Sequence, residues 1–127
     1  MTIVAMAAIL LAEDVVAIRD LTQRILEGEG HEVLAVADGA EATRVLAERP
    51  DVEILVADAS LPGRSGVELA EEVVGRSPSA FAIVMSGYDQ GTATRGRGLP
   101  ERTTFLQKPF SPVDLADAIA GKLDGDP

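Results

Sequence analysis

Short, wholly apolar runs alternate along this chain with longer stretches in which apolar residues recur every three or four positions. The first run, Ala8 to Ala12, has the length and composition of a buried strand. After it, Ile18, Leu21, Ile25 and Leu26 fall on one face of a helix, with Gly28 and Gly30 as stop signals. Val33, Leu34 and Val36 predict a short second strand. Asp38 followed three residues later by Glu41 is a capping box for a helix with Ala42, Val45 and Leu46 on its apolar face, and Pro50 ends it. Ile54 to Ala57 is a third strand, apolar throughout as a central parallel strand should be.

Ser65 and Glu68 cap a third helix that carries Val67, Leu69, Ala70, Val73 and Val74. Ala80 to Met85 and Thr104 to Gln107 predict strands four and five. Ser111, Pro112 and Asp114 supply a cap, a proline at the first helical position and an acid in the first turn. The helix that follows places Leu115, Ile119 and Leu123 on one face. One stretch breaks the rhythm. From Tyr88 to Pro100 the chain reads YDQGTATRGRGLP, whose glycines and threonines make a poor helix, so a short or frayed fourth helix is expected there. The alternation as a whole predicts an α/β domain with a mostly parallel sheet, spanning residues 3–124, with no internal repeat.

Composition narrows the picture. A chain of 127 residues with 46% apolar residues can build one compact core. There is no cysteine, which rules out disulfides and thiol chemistry. The formal net charge of −10, from 21 acids against 11 bases, repels phosphate backbones. One tyrosine and three phenylalanines offer little base-stacking surface. Both features argue against direct nucleic-acid binding. The longest apolar run, Ile3 to Ala12, falls short of the roughly 20 residues of a membrane span, and it lacks the basic lead and cleavage site of a secretory signal.

In an open α/β sheet ligands bind beyond the carboxyl ends of the strands. The polar residues there are Glu13 and Asp14 after the first strand, Asp58 at the end of the third, Ser86 at the end of the fourth, and Lys108, with Pro109, after the fifth. Clustered carboxylates repel one another unless a cation sits among them, and hard oxygen ligands suit Mg²⁺. An Asp carboxylate is a competent phosphoryl acceptor. A lysine and a serine hydroxyl can hold the remaining phosphoryl oxygens.

The stretches ILLAED, ILVADASLPGRSG, IVMSG and FLQKPF, in this order and spacing, resemble the response-regulator receiver family of two-component signalling from Ile9 to Leu123. The resemblance implies a flavodoxin-like, doubly wound, five-stranded sheet of order 2-1-3-4-5, with Pro109 after a cis peptide bond. It implies an acidic pair at Glu13 and Asp14, a phosphoacceptor at Asp58, and a Mg²⁺ site completed by the backbone carbonyl of Ser60. It further implies a switch hydroxyl at Ser86, the family's lysine at Lys108 and a reorienting aromatic at Phe105. The expected partner is a histidine kinase or histidine phosphotransfer domain in a bacterial cytoplasm, and a dimer formed on phosphorylation is a further expectation. SGY and FLQKPFSPVDLA are most similar to receivers at the C-terminus of hybrid histidine kinases. Val15 and Val16 depart from the polar residues or proline common in relatives and make the lip of the site more apolar. Tyr88 is large enough to screen an attacking water, which predicts a long-lived phosphoryl state whose hydrolysis quickens in Tyr88→Ala.

Each residue alone has a plainer reading. Glu13 and Asp14 are a solvated loop, Asp58 a turn residue, Ser86-Gly87 a loop signal, Lys108-Pro109 a strand end and Phe105 core. Their conjunction at successive strand ends favours the site. His31 reads as a surface residue, Arg95 and Arg97 as solvated, and Glu68, Glu71 and Glu72 as the outer face of a helix. Two other functions compete, the first sharing this topology and the second the use of an aspartyl phosphate. A flavodoxin-like cofactor binder wants a Ser, Thr and Gly loop after the first strand, where this chain has Glu13 and Asp14. A Mg²⁺-dependent phosphohydrolase wants a second acid two residues after the nucleophile, where this chain has Ser60. A receiver takes the group onto itself and is not an enzyme in the ordinary sense.

Overall fold

The computed structural model describes residues 7–123. The expected domain limits at residues 3 and 124 lie outside that range, as does the side chain of Leu123. Ten elements follow in order: β1 (Ala8–Ala12), α1 (Val16–Gly28), β2 (Glu32–Val36), α2 (Gly39–Glu48), β3 (Ile54–Asp58), α3 (Gly66–Val74), β4 (Phe81–Ser86), α4 (Gln90–Ala93), β5 (Thr103–Gln107) and α5 (Pro112–Leu123). All strand pairs are parallel, in the order β2-β1-β3-β4-β5. Strand order therefore reverses at β1 and β3, which makes the carboxyl ends of these two strands the expected ligand crevice.

Side chains alternate across a strand, and here both faces are covered. Leu10, Ala12, Leu55, Ala57, Ala82 and Val84 pack with Ala42 and Leu46 of α2 and with Leu69, Ala70 and Val73 of α3. Ile9, Leu11, Ile54, Val56, Ile83 and Met85 pack with Leu26 of α1 and with Leu115 and Ile119 of α5. This is why β3 and β4 are buried from end to end and read as unbroken apolar runs. The edge strands β2 and β5 are mostly half-buried.

Local signals set the helix starts. The Asp38 carboxylate accepts the Glu41 N–H at 2.8 Å, and the Glu41 side chain accepts the Ala37 N–H at 2.8 Å. Ser65 Oγ accepts the Glu68 N–H at 3.2 Å, and Ser111 and Asp114 exchange two bonds of 3.1 Å. The fourth helix is a single turn with no buried residue, as its glycines predict.

Two sequence expectations need correction. Leu21 is 57% exposed, and Thr22 takes the buried slot on α1. Thr22 can do so because its hydroxyl donates to the Ile18 carbonyl at 2.7 Å, so no polar group is left unpaired. His31 is buried, not superficial. Parallel pairing of β1 with β2 brings Ala7 beside it, and the imidazole Nδ1 accepts the Ala7 N–H at 3.3 Å.

Candidate functional site

Strand register assembles the rim. Ala12 lies beside Ala57 and Asp58 beside Met85, so Glu13 and Asp58 leave adjacent strands at the same height. Ser86 pairs with Gln107, and the Lys108 N–H donates to the Ser86 carbonyl at 2.7 Å. The Lys108–Pro109 peptide is cis. Gly66 permits the close seating of α3 under this rim: a Cβ on it would collide with the Asp58 carbonyl oxygen. Arg64 fastens the β3–α3 loop from both sides, donating to Glu72 at 2.7 Å and to the Thr43 hydroxyl at 3.1 Å.

Lys108 Nζ bridges the two buried acids. It donates to Glu13 Oε1 at 2.7 Å and to Asp58 Oδ2 at 2.5 Å. The second oxygen of each acid takes a backbone N–H, Val15 for Glu13 at 3.2 Å and Ser60 for Asp58 at 2.7 Å. Burial holds the Glu13 carboxyl above its ordinary range, against the lowering effect of Lys108 and of the Val15 N–H. Burial alone would lower Lys108, but its bonds to Asp58 and Glu13 outweigh it and leave the ammonium pKa raised. Lys108 is therefore a fixed positive charge.

Asp14 is exposed, yet its carboxylate joins the set: oxygens of Glu13, Asp14 and Asp58 all lie within 4.8 Å of one another. Three carboxylates share one ammonium, which leaves excess negative charge. Hard oxygen donors at that spacing fit a divalent cation such as Mg²⁺. The same donor set is unsuited to cradling a bare phosphate, as a flavin-binding loop must.

A scan of family models matches the response regulator receiver domain over residues 9–120. The chain belongs to this family. Similar proteins include the sensor kinase CckA of Brucella abortus, 33% identical over 93% of this chain but only 13% of that protein. The aerobic respiration control protein ArcA of Escherichia coli K12 is 32% identical over 84% of this chain and 44% of that protein. The chain thus spans less than half the length of these relatives. Among solved structures, the receiver domain of the hybrid histidine kinase CckA is 32% identical, with a TM-score of 0.74 over 92% of this chain and 99% of that one. A receiver protein from Sinorhizobium medicae WSM419 shares the fold at 24% identity, with a TM-score of 0.84 over 95% and 97%. Receiver domains are signalling modules of two-component systems, and among the described residues no helix is long and apolar enough to cross a membrane.

Within this receiver, Glu13, Asp14, Asp58 and Lys108 form one cluster. Ser60 reaches it through its N–H. The Ser86 hydroxyl sits at the rim, buried, and accepts the Tyr88 N–H at 3.0 Å. Phe105 is apart from the polar cluster, half-buried on β5 beside Val84. Arg19, not singled out in the sequence, donates to the Glu13 carbonyl at 2.9 Å and ties α1 to the acidic loop. Its place one helical turn after that loop was the available signal. Two openings flank the cluster. A cavity of about 650 Å³ runs from Asp14 and Ser60 to Tyr88 and Arg95. A groove of about 420 Å³ is lined by Ile18, Leu21, Ile25, Pro109 and Phe110, with Lys108 at its edge.

Proposed function

We propose that this chain is the phosphoacceptor of a two-component phosphorelay, with Asp58 as the acceptor. One Asp58 carboxylate oxygen forms a bond to phosphorus as the P–N bond to a phosphohistidine breaks. The bonding pair returns to the imidazole nitrogen, which takes up a proton. The observation that carries the reading is Asp58 itself: a carboxylate at the end of a central strand, bonded to Lys108 and within 4.8 Å of two further carboxylates. Glu13, Asp14 and Asp58, with the carbonyl of Ser60, would hold Mg²⁺, which when bound neutralises charge on phosphoryl oxygens. Lys108 supplies the permanent positive charge for the transferred group. Ser86 donates its hydroxyl to the phosphoryl group, and Phe105 turns inward behind it, so the modified state favours a second shape of the domain.

The donor is a histidine kinase or histidine phosphotransfer domain. Val15 and Val16 at the start of α1 and Val113 in the first turn of α5 are exposed, and α1 and the β5–α5 loop line an apolar groove. An uncovered apolar surface beside an acceptor fits a helical partner that must bring its histidine there. The receiver unit covers residues 3–124, acts in the cytoplasm, pairs with a second copy when phosphorylated and does not bind nucleic acid directly. It is altered by the transfer and is not turned over as an enzyme would be. Incubation with phosphorylated phosphotransfer domains tests this. Label should pass to the wild type and not to Asp58→Asn; equal labelling of the variant would place the acceptor elsewhere.

A further inference from the structure

The cavity of about 650 Å³ between α3 and the segment after β4 has walls of opposite charge. Glu68 and Glu71, three residues apart on α3, line one side; Arg95 and Arg97 line the other. All four are exposed, and none is in an ion pair among the described residues. The arginine wall follows a helix of a single turn and is held by turn hydrogen bonds, with Gly96 and Gly98 at φ +76°. Gly87, at the other end, has nothing within 4 Å of where a Cβ would be. Asp14 and Ser60 belong to the same cavity wall, so whatever narrows the cavity narrows solvent access to the acceptor rim.

We propose that the segment from Tyr88 to Pro100 is a lid that closes on α3 by pairing Arg95 and Arg97 with Glu68 and Glu71. Closure narrows the cavity and leaves less room in it for water. It puts a roof over one of the two openings beside the Asp58 cluster, and so over one route for a hydrolytic water. In an acidic chain, two unpaired guanidiniums facing two unpaired carboxylates across one cavity are drawn together at low ionic strength and released as salt screens them. Exposed pairs are individually weak, so the lid is balanced and its closed fraction responds to small changes.

Tyr88 lines the cavity and is the single tyrosine in a chain without tryptophan, so intrinsic fluorescence reads the lid without a label. Acrylamide quenching of Tyr88 should rise about twofold between low salt and ~0.5 M salt, where the screening length falls to ~4 Å. The Glu68→Arg, Glu71→Arg variant should quench as the high-salt wild type does at every salt concentration. Adding Arg95→Glu and Arg97→Glu to it should restore both the shielding and the salt response. Quenching that ignores salt and charge reversal alike overturns the proposal, as does a folded four-residue swap that stays open. The effect on phosphoryl lifetime rests on the phosphoacceptor reading, whereas closure does not. The open variant should lose its phosphoryl group about threefold faster than wild type, and an unchanged rate in a variant that quenches as open would show that the roof does not shield Asp58. If Asp58 accepts no phosphoryl group while Tyr88 quenching follows the charge pattern, the lid stands and the acceptor assignment falls.

Discussion

Two regions share the carboxyl end of the sheet, the rim that carries Asp58 and the segment that carries α4. Asp58 ends a strand buried along its whole length and paired on both sides. Its side chain is bonded to Lys108 and to the Ser60 N–H. The α4 segment has one helical turn, half-buried Ala93 as its apolar foot on the core, and Thr94 buried with its hydroxyl on the Gln90 carbonyl. The difference teaches where a receiver of this kind is stiff and where it yields. Asp58 is fixed by the same core that stabilises the fold, whereas the α4 segment rests on that core through little more than Ala93 and Thr94.

Substitutions can break or sharpen that contrast. The largest effect should come from Leu55→Ala in β3, fully buried between the strands that frame the site. A loss of about 2–5 kcal/mol in urea unfolding is expected, and a loss below that range would mean that the rim does not share the core. Next is Lys108→Ala. It leaves the fully buried Glu13 without its cation, so stability should fall by about 1.5–3 kcal/mol and phosphoryl uptake should be abolished. Adding Glu13→Gln should recover part of the stability and none of the uptake.

His31 gives a smaller, pH-dependent effect at the far end of β1. Burial lowers its pKa below the ordinary value of 6.5, against the raising effect of Glu29. Below about 6.5 the unfolded chain binds a proton that the folded chain resists, so stability falls as pH drops through that window. Thermal melts should show this limb in the wild type and lose it in His31→Asn, with about 0.5–1.5 kcal/mol lost at neutral pH for the Ala7 hydrogen bond. The smallest effect belongs to α4. Gly91 has room for a Cβ, its nearest neighbour being Asp89 Oδ1 at 3.4 Å. Gly91→Ala should firm the turn by about 0.5–1 kcal/mol, visible as slower amide exchange at Thr94 with no change in phosphoryl uptake.

The sequence made the rigid region legible and left parts of the rest obscure, for physical reasons. Strands covered on both faces must be apolar throughout, so β1, β3 and β4 could be read directly, and with them the polar residues at their ends. The Asp38, Ser65 and Ser111 caps are local chemistry, legible at a spacing of three. Burial of His31 depends on which residue stands across from it in the neighbouring strand, and no local pattern carries that. The exchange of Leu21 for Thr22 escaped for a related reason: a threonine that bonds its own helix passes for an apolar residue in the core. The two-sided tether of Glu13 required knowing that Lys108, 95 residues later, arrives at the same point.

Phosphorylation of Asp58 is the central functional claim, and intact mass after incubation with a small phosphodonor tests it most directly. With Mg²⁺ the wild type should gain the mass of one phosphoryl group, without Mg²⁺ it should gain none, and Asp58→Asn should gain none under either condition. A folded wild type that stays unmodified with Mg²⁺, or an Asp58→Asn variant that gains the same mass, would contradict the account.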